Sequence, residues 1–267
     1  MWPIIKRTIK DRKIVFLIYI IAASAFFLMH VSVFPSFKDQ QIDIAQLMQS
    51  MPQGFIEAFG LEDYDMSKFE NYIAGEEFSL IWPLMLLIMS ISFAGGAIAS
   101  EIEKGTIEVL LSQPISRSKL YISRYISGII MIFGFIIITM GLLIAMAAAF
   151  GIDLKLNHYP ALSLVAFLFA WAIYSIAMFL SAVFSDRGKV YFISAALLFV
   201  MYALNILARL KESLHDLRYF SFFHYYVPND LLIRNQIDKY SVIVFISVAV
   251  VFSIAGFIAF NRRDIST

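Results

Sequence analysis

Apolar residues along this chain gather into six long runs, separated by short polar segments. The runs cover residues 14–33, 80–99, 125–150, 161–184, 190–207 and 242–260. A helix needs about 20 apolar residues to cross the hydrocarbon core of a bilayer, and each run meets or approaches that length. The fifth is the shortest, and the third is long enough to tilt or to project beyond the core. The sharpest contrast falls at EIEKGTIEVLLSQPISRSKLYISR, residues 101–124, between the second and third runs. This stretch carries Glu101, Glu103, Lys104, Glu108, Arg117, Lys119 and Arg124. Gly105 interrupts it early and Pro114 interrupts it again. Between them Ile107, Leu110 and Leu111 fall at i, i+3 and i+4, which predicts a short amphipathic helix over 106–113. Ser116, with Ile115 before it, is the expected N-cap of the next helix. The pattern describes a helix leaving the membrane, a small helix lying across its end, and a second helix going back in.

Weaker amphipathic signals surround this frame. Residues 1–13 hold Lys6, Arg7, Lys10, Arg12 and Lys13 against Asp11, with Trp2, Ile5 and Ile9 on one helical face. They predict an interfacial helix on the cytoplasmic surface; the plainer alternative is a positive flank of the first span. Ala23-Ser24-Ala25 resembles a signal-peptide cleavage site, but the apolar run continues to Val33, which favours an uncleaved span. In the first outer loop, 34–78, Ile44, Met48, Met51, Phe55 and Phe59 recur at helical spacing and predict a helix on the outer surface. The segment 208–240 contains Tyr219, Phe220, Phe222, Phe223, Tyr225 and Tyr226, a composition suited to the interface or to a partly re-entrant segment.

Composition agrees with the pattern. The 267 residues are 60% hydrophobic and 15% charged, with a mean hydropathy of +0.78, whereas a soluble domain is about 25% charged. The expected fold is therefore an all-α integral membrane protein of six transmembrane helices, a single domain over 1–267. No cysteine is present, so disulfides and thiolate metal sites are excluded. Charge placement sets the expected orientation. With the N-terminus inside, thirteen Lys and Arg fall on the cytoplasmic side and eight outside. Loop 34–78 holds nine carboxylates against Lys38 and Lys68, which places it outside and both termini in the cytoplasm.

The runs themselves contain no Asp, Glu, Lys or Arg. Intramembrane charges serve proton relays, ion sites and voltage sensing, so an ion-driven pump and an intramembrane enzyme are both disfavoured. His30 is read as an interfacial histidine. His30, His158, His215 and His224 show no metal-ligand spacing, and no phosphate-cradling glycine loop is present. The chain is not expected to be an enzyme or to hold a cofactor, and no nucleic-acid partner is expected. Small residues cluster at the inner end of the second run: Gly95, Gly96, Ala99 and Ser100 form two small-xxx-small pairs, suited to helix packing within the chain or to a subunit interface.

The stretch AGGAIASEIEKGTIEVLLSQPISRSKLYISRYISG resembles the signature region of type-2 ABC exporter permeases, the bacterial family of bacitracin, drug and sodium exporter subunits. The matching positions are Glu101 and Glu103, Gly105 and Thr106, Leu110 and Leu111, and Pro114, Ser116 and Arg117. Weaker likenesses cover GFIEAFGLEDYDMSKFENYIAGEEF and FSFFHYYVPNDLL. The resemblance implies a multi-pass permease in a bacterial cell membrane, exporting a peptide, drug or lipid-like cargo. It implies a separate ATP-binding subunit holding ATP and Mg, and a second permease subunit, identical or related. Residues 101–124 would form the coupling segment that docks on the ATPase, through Glu101, Glu103, Gly105, Thr106, Ile107, Glu108, Leu110, Leu111, Pro114, Ser116 and Arg117. The competing class is a non-transporting membrane scaffold or sensory protein.

Overall fold

The basic residues at the start of the chain and the first apolar run contain no helix breaker between them, and they form one uninterrupted helix, α1 (Trp2–Asp39). The computed structural model describes residues 1–39, 68–107, 112 and 115–263. The separate interfacial helix expected over 1–13 is not formed; those residues are the first turns of the first span. At about 1.5 Å per residue, the 38 residues of α1 reach about 57 Å, well beyond a core of about 30 Å. The basic turns therefore project past the apolar layer as part of the same helix.

The second span, α2 (Phe69–Gly95), begins well before residue 80. It opens with an α-helical turn over Phe69–Ile73, widens into π-helix over Ala74–Ile81, and returns to α-helix over Trp82–Gly95. This corrects the expectation that the spans lack charge, because α2 takes in Glu70, Glu76 and Glu77. A carboxylate ends an apolar run in the sequence, but it does not end a helix whose tertiary neighbours satisfy it. Glu70 accepts the Lys155 backbone N–H at 2.6 Å, and Glu77 faces His30. Loop 34–78 is helical at both its ends, and the helix expected through Ile44 and Phe59 lies outside the described residues.

The remaining elements are α3 (Ala99–Glu103), α4 (Arg117–Ala149), α5 (Tyr159–Val183), α6 (Arg187–Leu210), a 3₁₀ helix (Glu212–Phe220), α7 (Phe222–Tyr225), α8 (Pro228–Leu232) and α9 (Lys239–Arg262). Ser116 caps α4 as expected, accepting from the Lys119 N–H at 3.3 Å. Asp186 caps α6 and Asp238 caps α9 in the same way. Among the described residues there is no strand. Six helices (α1, α2, α4, α5, α6 and α9) are long and apolar enough to cross a membrane.

The centre is α5, which packs against α9, α2, α4 and α6, while α1 lies chiefly along α4. Its apolar stretch is 72% buried, against 17% for α9. Ala166, Ala170, Ala172 and Ala177 of α5 are fully buried; in lipid, such small side chains let neighbouring backbones approach closely. The outer helices turn large apolar side chains away from this centre, among them Ile14, Leu17 and Ile21 of α1, Phe192 and Phe199 of α6, and Val251 and Ile254 of α9. In water so much exposed apolar surface would drive association; acyl chains match it. The described residues are thus all-helical, and their six long apolar helices are compatible with a multi-pass membrane protein.

The first turns of α1, the link from α2 to α4 and the last turn of α9 share one end of the bundle, here the terminal face. The opposite loop face carries the segment 208–240. That segment folds back: Phe222, Tyr226, Leu231 and Leu232 are buried, Phe223 and Tyr226 pack on Phe169 with ring centroids 5.5 and 5.2 Å away, and Ser241 donates to the Tyr225 carbonyl at 2.7 Å. Burial, followed by the charges of Arg218 and Arg209, pushes the His224 imidazole down to about 4. The unfolded chain binds that proton near the ordinary value of about 6.5. Stability from a neutral His224 is therefore full above about pH 6.5 and declines as pH falls toward about 4. The thermal midpoint should drop between about pH 7 and about pH 5 in the wild type and drop less in His224→Phe; identical pH profiles would refute this.

Candidate functional site

Small residues decide how α2 ends. A Cβ on Gly95 would sit 2.3 Å from the Tyr191 ring, and one on Gly96 would sit 1.6 Å from the Arg12 guanidinium. The chain must pass these side chains as bare backbone. It then restarts as α3, where the Ala99 N–H donates to Ser181 Oγ of α5 at 3.0 Å. Gly105 follows at φ +68, a left-handed conformation that favours glycine. Gly95, Gly96, Ala99 and Ser100 are thus all buried against other parts of the same chain.

Glu101 and Glu103 both pair with arginines of the same chain. Glu101 Oε1 lies 3.0 Å from Arg124 Nη2, and its other oxygen accepts from the Thr106 hydroxyl. Glu103 lies 3.6 Å from Arg187 Nε and also accepts the Arg187 backbone N–H at 3.2 Å. Ile107, expected on an outward docking face, is 1% exposed and belongs to the chain's own core. The far end of the link is tied down equally well. Arg117 donates to the Arg263 carbonyl, and Ser118 donates to Asn261 at 2.9 Å. Arg263 donates in turn to the Ala182 and Phe184 carbonyls, at 3.0 and 3.2 Å. The link is therefore fastened at both ends, to α4, α5, α6 and α9. Glu108, Leu110, Leu111 and Pro114 lie outside the described residues.

Arg124 is the pivot. Its side chain is 10% exposed, and with Arg12, Gly96 and Tyr174 it lines a cavity of about 10 Å³. The Tyr174 hydroxyl lies 3.3 Å from the Arg124 and Tyr125 carbonyls. Nothing in the sequence paired Arg124 with Glu101 or placed Arg12 on Gly96. The available signal was modest: a lone arginine at the mouth of a long apolar run, facing an acidic residue at the mouth of the preceding one.

Fold and site together define a class: helical throughout the described residues, with six helices of membrane-spanning length, and with the start of α1, the end of α9 and a polar link clamped at both its ends on the same face. Within that class, the family description "Protein of unknown function (DUF2705)" matches residues 42–266, and the chain belongs to that family. No curated protein matches it.

Proposed function

We propose that this chain is the membrane-spanning subunit of an ATP-driven exporter, with the terminal face in the cytoplasm of a bacterial cell and residues 106–113 as the element that a separate ATPase grips. The observation that carries this reading is the motif Glu101, Glu103, Gly105–Thr106, Leu110–Leu111, Pro114 and Ser116–Arg117, sited on a link fastened at both ends to the core helices. A push on such a link would reach α5, because α3, Arg117 and Arg263 are hydrogen-bonded to it directly or through one another. The cargo is amphipathic, a peptide, drug or lipid-like molecule, and a second permease subunit completes the path. ATP and Mg bind in the ATPase.

Buried apolar anchors carry most of the energy of an interface, while rim charges contribute little. With Ile107 committed to the chain's own core, this reading assigns the anchoring contacts to Leu110 and Leu111. Leu110→Ala and Leu111→Ala should keep normal membrane levels and lose co-purification of the ATPase in mild detergent. Glu108→Ala should retain it, and Ile107→Ala should reduce stability instead. Full co-purification with both leucines replaced would show that 106–113 is not the docking element.

A further inference from the structure

At the loop face, α1 and α2 bury a polar triad that neither the exporter reading nor the terminal-face link uses. His30 Nε2 lies 3.2 Å from Glu77 Oε2, and His30 Nδ1 lies 2.9 Å from the Tyr72 hydroxyl. Glu77 is 0% exposed, Tyr72 3% and His30 6%. The surroundings are apolar: Phe27 packs on Phe78, Phe34 on Phe69, and Trp82 on Phe78. Neither Glu77 oxygen has a hydrogen-bond partner among the described residues, and nor does His30 Nε2, so the 3.2 Å approach is a charge contact and not a hydrogen bond.

The π-helical stretch explains how the triad meets. In an α-helix, residues five apart point about 140° away from each other. In π-helix the i→i+5 bonding stacks them. Tyr72 lies in the α-helical turn and Glu77, five residues on, in the π-helical stretch that begins at Ala74; across that widening both side chains reach His30. Short π-helical segments recur at functional sites, and ionisable groups at membrane depth are costly unless they act.

We propose that His30, Glu77 and Tyr72 form a proton-binding site that exchanges a single proton with the solution. With a neutral imidazole and an ionised Glu77 the buried triad carries one uncompensated negative charge, which an apolar setting disfavours. Uptake of one proton from hydronium, releasing water, forms an N–H bond at Nδ1 and leaves a neutral imidazolium–carboxylate pair. The Tyr72 hydroxyl, which donates to Nδ1 before uptake, turns to accept from it afterwards. Other titratable groups nearby are accounted for separately. Glu76 is exposed on the same helix, Glu70 is held by the Lys155 N–H, and Asp230 of α8, which packs on the π-helical stretch, is paired with Arg234 at 2.9 Å. The part of α4 beyond Arg124 offers no charged residue. The inference does not depend on the exporter reading.

The test uses the full chain in lipid nanodiscs with ¹⁵N-labelled histidine. Its four histidines are resolved by assigning His30 through His30→Gln. In the wild type, His30 should change protonation state once between about pH 5 and about pH 9. Glu77→Gln, which removes the carboxylate facing Nε2, should alter that step. Tyr72→Phe, which preserves shape and carboxylate, should shift the midpoint without removing the step, and it keeps the proposal testable if Glu77→Gln misfolds. A His30 locked in one state across the range, as in a purely structural ion pair, would overturn the proposal. So would a titration unchanged in Glu77→Gln, or one unchanged in Tyr72→Phe.

Discussion

Glu101→Ala should destabilise the purified protein by about 2–3 kcal/mol. Breaking a buried ion pair by removing one partner costs about 3–5 kcal/mol, because the other charge stays behind unpaired. Here Arg124 is 10% exposed and Glu101 25%, so the Arg124 side is nearly fully desolvated and the Glu101 side is partly screened. The guanidinium of Arg12 borders the same small cavity, so without Glu101 two cations share it with only Asp11 acting against them at Arg124. Thr106 also loses its carboxylate acceptor. The double variant Glu101→Ala/Arg124→Met should recover most of the loss, since it removes the stranded charge and keeps the volume. Unfolding in mild detergent measures both. A Glu101→Ala variant as stable as the wild type, or a double variant less stable than the single, would refute the account.

The second large effect concerns two glycines of α4 that differ only in their neighbours. A Cβ on Gly128 would lie 2.1 Å from Tyr174 Oη and 2.3 Å from Tyr174 Cζ. Tyr174 is fully buried and packs on Tyr125, with ring centroids 5.4 Å apart. It has nowhere to retreat, and overpacking of this kind costs about 3 kcal/mol. A Cβ on Gly141 would meet nothing within 4 Å. There the helix simply gains the better former, by up to about 1 kcal/mol. Gly128→Ala should therefore lower the thermal midpoint and Gly141→Ala should raise it or leave it unchanged. Equal shifts for the two would mean that the Tyr174 contact does not constrain α4.

Much of the candidate site could be read before the fold was known. The polar link, its break at Gly105 and the cap at Ser116 follow from local rules: a residue without a Cβ suits a left-handed turn, and a serine oxygen reaches back to the first free N–H groups of a helix. The partners of Glu101 and Glu103 were a different matter. The resemblance assigns both carboxylates to a docking segment, and within the chain they pair with Arg124 and Arg187. Ile107 was expected on the same outward face as Leu110 and Leu111, yet it is buried in the core. Periodicity shows that residues share a face; it does not show what the face meets.

The sequence by itself determined the six apolar helices and the link between the second and third. Those properties depend on each side chain's own preference for hydrocarbon over water, summed over a run. Only the tertiary structure decided that α2 starts at Phe69 and that the basic first turns continue into α1. It alone brought His30 and Tyr72, 42 residues apart, into one buried triad with Glu77. The physical reason is that a carboxylate's cost in an apolar setting has no fixed value. It is high for a group alone and much lower beside an imidazole or a free N–H, and those partners come from other helices.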